Sequence, residues 1–188
     1  MRIGVLAVQG AFAEHIAVLK RLGLDAFEIR NTRDIAGDFD GLILPGGEST
    51  VMKKLLHDLG LLAPLKAKIE NGLPVLGTCA GMILLAKHID SGESPCFGTM
   101  DITVKRNAYG RQLGSFVCRE QFAGHEITMR FIRAPYVTKV GHDAEVLAVH
   151  DGKIVAARQK NQLAAAFHPE LTDDTTVYNL FLEMLAKT

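Results

Sequence analysis

The chain has no excess of either charge, because 21 lysines and arginines balance 21 aspartates and glutamates over its 188 residues. Proteins that bind nucleic acid or an anionic membrane as their main partner usually carry a positive surface. No apolar run reaches the roughly 20 residues that a membrane-spanning helix needs. We therefore expect neither nucleic acid nor a membrane among the partners.

Cysteine is also scarce. The three cysteines are an odd number without the paired spacing of a metal site or a disulfide framework. We expect no metal site, and we expect a reducing, cytoplasmic location. The apolar opening MRIGVLAVQG is short and no cleavage-like site follows it, so it predicts a first strand and not a signal peptide.

Apolar residues are plentiful, at 48% of the chain, which is enough for a full core. The length, together with the lack of repeats, low-complexity tracts and linkers, predicts a single domain over residues 1–188. In the first half, apolar strand patterns alternate with helical spacing. Strands are expected at 3–8, 25–30, 41–47 and 73–77, and helices at 11–23, 49–60, 63–72 and 80–88. This alternation predicts a three-layer α/β/α sandwich of the flavodoxin-like kind, with a mostly parallel central sheet.

The second half has a different character. Strand patterns at 98–106, 124–132 and 144–150 follow one another with few helices between them, and a last strand is expected within 163–171. Asp151-Gly152 predicts a tight hairpin, so we expect antiparallel additions to the parallel sheet. A final helix is predicted with Thr172 as its N-cap and one apolar stripe, formed by Val177, Leu180, Phe181, Met184 and Leu185.

The segment GTCAG, residues 77–81, has the Gly-x-nucleophile-x-Gly pattern of a tight turn from a strand into a helix. Such a turn lifts Cys79 out of the sheet at the start of a helix, where the helix dipole favours a thiolate. The backbone N–H of Ala80 is then free to stabilise an oxyanion. The alternative is that Cys79 is a small buried residue in a glycine-rich turn.

The segment FHPEL contains a second pattern. Pro169 biases His168 toward an extended backbone, in which Glu170 points the same way as His168. Glu170 can then orient the imidazole while the other ring nitrogen faces Cys79, as in a nucleophile, base and orienter triad. Alternatively, the pair is a surface histidine and a solvated glutamate.

The segment LPGGEST, residues 44–50, follows a strand and leads into a helix, so its backbone N–H groups can face an anion. Gly47 is the expected second oxyanion donor. The turn could instead bind phosphate, but it contains the acidic Glu48 and no basic residue. The remaining histidines show no partner pattern and are expected to be structural or exposed: His15, His57, His88, His125, His142 and His150. Cys96 and Cys118 do not lie in such a turn and are expected to be packing residues.

PGGEST, GTCAG and FHPE together resemble the class I, triad-type glutamine amidotransferases. Longer strings over the whole chain resemble one branch of them, the glutaminase subunits of pyridoxal 5′-phosphate synthase: VQGAFAEH, LILPGGEST, GTCAGMILLAK, RNAYGRQ, FIRAP and AAFHPELTDD. Many amidotransferases carry glutamine three places after the cysteine. This chain has Met82 there, which fits that branch and argues against the glutaminase subunit of imidazole glycerol phosphate synthase.

The resemblance implies that the chain hydrolyses L-glutamine and passes ammonia to a synthase subunit, in a large hetero-oligomer, with no metal or cofactor of its own. It implies a triad of Cys79, His168 and Glu170, and oxyanion donors at Gly47 and Ala80. The implied glutamine-binding positions are Gly47, Glu48, Ser49, Arg106, Ile132 and Arg133. A non-catalytic thiol or redox protein of related fold is the alternative from another class, but it has no use for the His168–Glu170 pair.

The family also implies low activity of the free subunit, because docking of the partner completes the oxyanion turn. This expectation depends on the flexible Gly46-Gly47 and on the neighbouring VQGAF segment. Gln9 of that segment is expected to contact the turn.

Overall fold

The computed structural model describes residues 1–106 and 114–186. The helices are α1 (Phe12–Arg21), α2 (Ser49–Asp58), α3 (Leu62–Glu70), α4 (Ala80–Leu85) and α5 (Thr176–Leu185). The strands are β1 (Arg2–Leu6), β2 (Asp25–Ile29), β3 (Gly41–Leu44), β4 (Val75–Thr78), β5 (Ala86–Ile89), β6 (Met100–Lys105), β7 (Ser115–Phe122), β8 (His125–Ile132), β9 (Tyr136–Val140), β10 (Glu145–His150), β11 (Lys153–Gln159) and β12 (Gln162–Ala165). None of the helices in this part of the chain is long and apolar enough to cross a membrane.

The main sheet has the strand order β2-β1-β3-β4-β12-β11-β9-β6-β5, and β10 pairs with β11 at its side. The strands from β2 to β12 in this order are all parallel, whereas the pairs β12–β11, β11–β9, β9–β6 and β11–β10 are antiparallel. The predicted α/β class, with a mostly parallel sheet and antiparallel additions, is confirmed. Strands β7 and β8 form a separate two-stranded sheet, which was not predicted.

The centre of the sheet is formed by the apolar runs. Every residue of β3, β4 and β12 is buried, as expected of parallel strands covered on both faces. β12 lies beside β4 in parallel register, with Ala165 opposite Thr78. The chain therefore leaves both strands at the same edge, and this brings the segment after β12 next to the segment after β4.

The predicted helix 80–88 is wrong in its second half. Helix α4 ends at Leu85, and the chain continues directly as β5, which pairs with β6. Ala86 and Ile89 are buried while Lys87 and His88 between them are exposed. Pairing with β6 thus outweighs a local pattern that is compatible with a helix.

The start of the final helix also differs from the prediction. Helix α5 begins at Thr176, and the residue before it is Thr175, not Thr172. The Thr172 hydroxyl donates to the Pro169 carbonyl at 3.1 Å and closes a 3-10 turn.

The hairpin prediction is confirmed, since His150 pairs with Lys153 across Asp151 and Gly152, whose φ angles of +50° and +70° suit a two-residue turn.

Candidate active site

Cys79 lies on a strained turn between β4 and α4. Its φ of 49° and ψ of −104° are rare for a residue with a side chain. Its N–H donates to the Ala165 carbonyl at 2.8 Å. A Cβ at Gly81 would lie 2.0 Å from the Leu44 carbonyl oxygen, so only glycine lets the helix approach the sheet this closely. The predicted elbow is present, and it fixes the thiol at the carboxyl edge of the sheet.

His168 and Glu170 meet Cys79 at that edge. The His168 N–H donates to the Arg130 carbonyl at 2.8 Å, and His168 Nδ1 lies 2.6 Å from Glu170 Oε1. His168 and Cys79 both lie beside Gly46 and line the same cavity. All three residues are at least 93% buried, so the reading of a solvated surface pair is wrong. The structure thus brings together the three residues of the predicted triad.

The charges of this group support one another. Burial lowers the pKa of His168, but hydrogen bonds to Cys79 and Glu170, and the charges of both groups, outweigh burial and raise the pKa to about 10. Burial raises the pKa of Glu170, yet the nearby His15 and the hydrogen bond and charge of His168 leave it below the ordinary value. At neutral pH the arrangement is therefore an imidazolium held between a carboxylate and the sulfur.

The PGG turn, residues 45–47, packs against His168 and Cys79. A Cβ at Gly46 would lie 2.4 Å from His168 Cε1. The Gly46 carbonyl accepts a hydrogen bond of 2.9 Å from the Ala11 N–H, and the Glu48 N–H donates to Gln9 Oε1 at 2.8 Å. The predicted contact between Gln9 and the turn is present. Residues 9–11 therefore hold the backbone of the turn.

A cavity of about 500 Å³ opens over Cys79. Each predicted site residue lines it except Glu170, which lies behind His168. The lining residues are Gly10, Ala11, Gly46, Gly47, Glu48, Ser49, Cys79, Ala80, Ile83, Arg106, Ile132, Arg133, Pro135 and His168.

Arg106 reaches into this cavity with a guanidinium that already has acidic partners. It contacts Glu93 at 2.8 Å and Glu48 at 3.2 Å, and it donates to the Thr50 hydroxyl at 3.2 Å. Glu48 caps α2 by accepting from the N–H groups of Thr50 and Val51. The rest of the RNAYGRQ string, residues 107–112, lies outside the described residues.

Two histidines have partners that the sequence did not reveal. His15 is fully buried and contacts Thr78, Glu170 and Tyr178. His150 lies 2.8 Å from Glu120. His15 and His150 are therefore structural, one of the two outcomes expected of them, although the sequence did not indicate their partners. The other four histidines expected to be structural or exposed are exposed: His57, His88, His125 and His142.

Cys96 and Cys118 both pack against the core, as predicted. Cys118, Glu120 and His150 offer ligand atoms within 4.8 Å of one another. This is the group of possible metal ligands found among the described residues, and none of the three lines the cavity over Cys79.

The three cysteines are expected to differ in reactivity. Burial raises the pKa of Cys96 to about 11, and burial together with Glu120 raises the pKa of Cys118. Cys79 lines a cavity that iodoacetamide can enter, and the other two cysteines lie outside it. Only thiolates react, and raised pKa values keep the other two protonated, so alkylation of Cys79 at pH 7 should be at least about 100-fold faster. Peptide mass spectrometry over a time course measures all three rates in one sample. Equal rates would show that Cys79 is not the most reactive thiol.

A mostly parallel α/β sheet that carries a cysteine elbow beside a buried histidine–glutamate pair has the architecture of the class I glutamine amidotransferases. The model of the SNO glutamine amidotransferase family matches residues 5–187, and the chain belongs to this family.

Individual relatives agree with this assignment. The chain is 63% identical, over the full length of both, to the pyridoxal 5′-phosphate synthase subunit PdxT of Methanocorpusculum labreanum. It is 55% identical to the subunit of that name from Streptococcus pneumoniae, over 98% of this chain and 97% of the relative. A crystal structure of a glutamine amidotransferase superimposes with a TM-score of 0.93 at 42% identity, covering 99% of this chain and all of the other. PurLQS from Thermotoga maritima shares the fold alone, with a TM-score of 0.69 at 14% identity over 99% of this chain and 95% of the other.

Proposed function

We propose that this chain is the glutaminase subunit of a pyridoxal 5′-phosphate synthase, hydrolysing L-glutamine to L-glutamate and ammonia. One observation carries the proposal: Cys79, on a strained elbow, shares one cavity with His168, whose ring lies 2.6 Å from the buried Glu170. The names of the full-length relatives support the choice of synthase over other ammonia-using enzymes.

Glutamine fits the cavity with its amide over Cys79. The Arg106 guanidinium binds the α-carboxylate in exchange for its contact with Glu93, which lies 2.8 Å away. Glu48, beside Arg106, offers a carboxylate for the α-ammonium group. Ser49, Ile132 and Arg133 complete the lining around the substrate chain. The Ile132 carbonyl lies 3.9 Å from Cys79 Sγ, so this strand end sets the position of the sulfur.

The first half of the reaction forms a thioester. The Cys79 thiolate attacks the side-chain amide carbon, and the N–H groups of Gly47 and Ala80 stabilise the oxyanion. His168, holding the proton taken from the thiol, donates it to the amide nitrogen as the C–N bond breaks and ammonia leaves. Glu170 stabilises the imidazolium before this transfer.

The second half regenerates the thiolate. His168 is now neutral and takes a proton from a water molecule, whose oxygen attacks the thioester carbon. The C–S bond breaks, the new carboxyl group releases its remaining proton to solvent, glutamate leaves, and Cys79 and His168 return to the ion pair. We place this chemistry in one domain of a cytoplasmic protein that passes ammonia to a synthase subunit in a large hetero-oligomer.

The partner is expected to increase the rate. Two hydrogen bonds hold the PGG turn: the Ala11 N–H donates to the Gly46 carbonyl, and the Gln9 side-chain oxygen accepts from the Glu48 N–H. A docked subunit that changes these bonds changes the oxyanion hole. We expect ammonia release from glutamine to rise at least about 10-fold on adding a pyridoxal 5′-phosphate synthase subunit, as for other gated hydrolytic sites. A coupled glutamate assay, with bovine serum albumin as the protein control, measures the rise. Rates that are the same with and without the synthase subunit would remove the partner from the proposal.

A further inference from the structure

Behind the triad lies a second row of buried polar side chains that the proposed chemistry does not use. His15 Nδ1 lies 2.7 Å from the Tyr178 hydroxyl. On the other side of the same ring, Nε2 lies 3.1 Å from Thr78 Oγ1 and 3.4 Å from Glu170 Oε2. His15, Thr78 and Tyr178 have no exposed surface. Such a row is costly to bury unless every group in it is hydrogen-bonded.

Glu170 is the triad residue that this row touches. Its Oε1 faces His168, whereas its buried Oε2 has no hydrogen-bond partner among the described residues. An anionic oxygen left in this state is costly because it has lost its solvation. The Nε2 of His15, at 3.4 Å, is positioned to offset that cost after a small shift.

The network determines which nitrogen of His15 carries the proton. Burial raises the pKa of the Tyr178 hydroxyl, so the hydroxyl stays protonated and donates to Nδ1. Burial, the largest cause, lowers the pKa of His15, so the ring is neutral and its one hydrogen sits on Nε2. The opposite tautomer would direct a lone pair at the Glu170 carboxylate. The N–H of His15 therefore lies on the side of Thr78 Oγ1, at 3.1 Å, and of Glu170 Oε2, at 3.4 Å.

We propose that His15 is a positioning residue, which holds the Glu170 carboxylate toward His168 through its Nε2–H, and that Tyr178 fixes the tautomer that makes this possible. The role in turnover rests on the proposed glutaminase function; the role in holding the carboxylate does not. Helix α1 then supports the site twice, because the residues just before it also hold the PGG turn through Ala11 and Gln9.

The charged and titratable groups that act on this row come from four parts of the fold. They are Glu14 and His15 on α1, His168 and Glu170 after β12, Tyr178 on α5, and Arg21 at the end of α1, with Cys79 after β4 acting on His168. His168 and Glu170 are common to all the variants below, so a shift in the Glu170 titration reports the loss of the His15 contact.

The test compares four variants with the unaltered chain. His15→Leu removes the N–H, His15→Gln returns an amide N–H near the same place, and Tyr178→Phe removes only the hydroxyl. His142→Leu, at a fully exposed side chain, is the matched control. Carbon-13 NMR of the glutamate carboxyl groups follows the Glu170 titration without reference to activity. The kcat and KM for glutamine are measured with the synthase subunit, and circular dichroism checks the fold.

For His15→Leu we expect the Glu170 titration to move up by about one pH unit or more and kcat to fall about 10-fold at unchanged KM, as for loss of one hydrogen bond to a charge. The acid limb of the kcat profile should move up with it. Tyr178→Phe should show a smaller change of the same sign, and His15→Gln should recover most of both.

Two results would overturn the proposal. One is an unchanged Glu170 titration in folded His15→Leu or, should that variant not fold, in Tyr178→Phe. The other is a loss of thermal stability with kcat and its pH profile unchanged, which would make His15 a packing residue only. A shifted titration in a chain without cysteine-dependent glutaminase activity would support the placement of the carboxylate and reject the glutaminase function.

Discussion

Cys79→Ala is expected to lower glutamine hydrolysis by the complex at least about 10⁴-fold, with KM or the glutamine dissociation constant changed little. The reason is that the sulfur makes the bond that splits amide hydrolysis into two steps, while it contributes little to holding the substrate. Removing one sulfur from a residue that is 7% exposed also leaves only a small cavity. Ammonia release and binding calorimetry measure the two effects separately.

The matched control for this variant is Cys118→Ala, which removes a sulfur outside the cavity. It should retain nearly all activity. Electrospray mass spectrometry after rapid quenching should find a glutamyl adduct on the unaltered chain and none on Cys79→Ala. Activity in Cys79→Ala above one hundredth of the original would show that another group attacks the amide.

Much of this site could be predicted because it lies in short, contiguous strings. GTCAG encodes the elbow locally, since Gly81 is required where a Cβ would meet the Leu44 carbonyl. FHPE places its histidine and glutamate two residues apart, and a 3-10 turn over Pro169–Leu171, in place of the expected extended segment, brings them to the 2.6 Å contact. Local spacing determines geometry within such strings, and the parallel register of β4 and β12 brings them together.

What the sequence did not reveal depends on contacts between distant residues. His15 and Tyr178 are 163 positions apart, and neither pattern indicates the other. A histidine on the buried face of α1, next to Val18 and Leu19 in the core, was the available signal. Likewise, the segment 86–89 reads as helix until its pairing with β6 is known. Such features are set by tertiary packing, which local patterns record only weakly.

Glu170→Gln is expected to lower kcat about 10³-fold, because the neutral amide no longer stabilises the imidazolium of His168. The amide also has an orientation problem. If its oxygen accepts from His168 Nδ1, its NH₂ group faces the His15 N–H, and two donors oppose each other. If it is turned round, His168 Nδ1 loses its acceptor and the ring takes the other tautomer. Ammonia release with the synthase subunit measures the loss, and a retained KM would place it in the chemical steps.

The same substitution should alter how stability depends on acid. The pKa of Glu170 in the folded chain lies below its ordinary 4.5. Its carboxylate therefore contributes stability fully above about pH 4.5, and that contribution is lost as the pH falls through the folded value. In Glu170→Gln this part of the acid dependence is absent, so the difference in urea midpoint between pH 7 and pH 3.5 should shrink. An unchanged difference would mean that folding does not lower the pKa of Glu170.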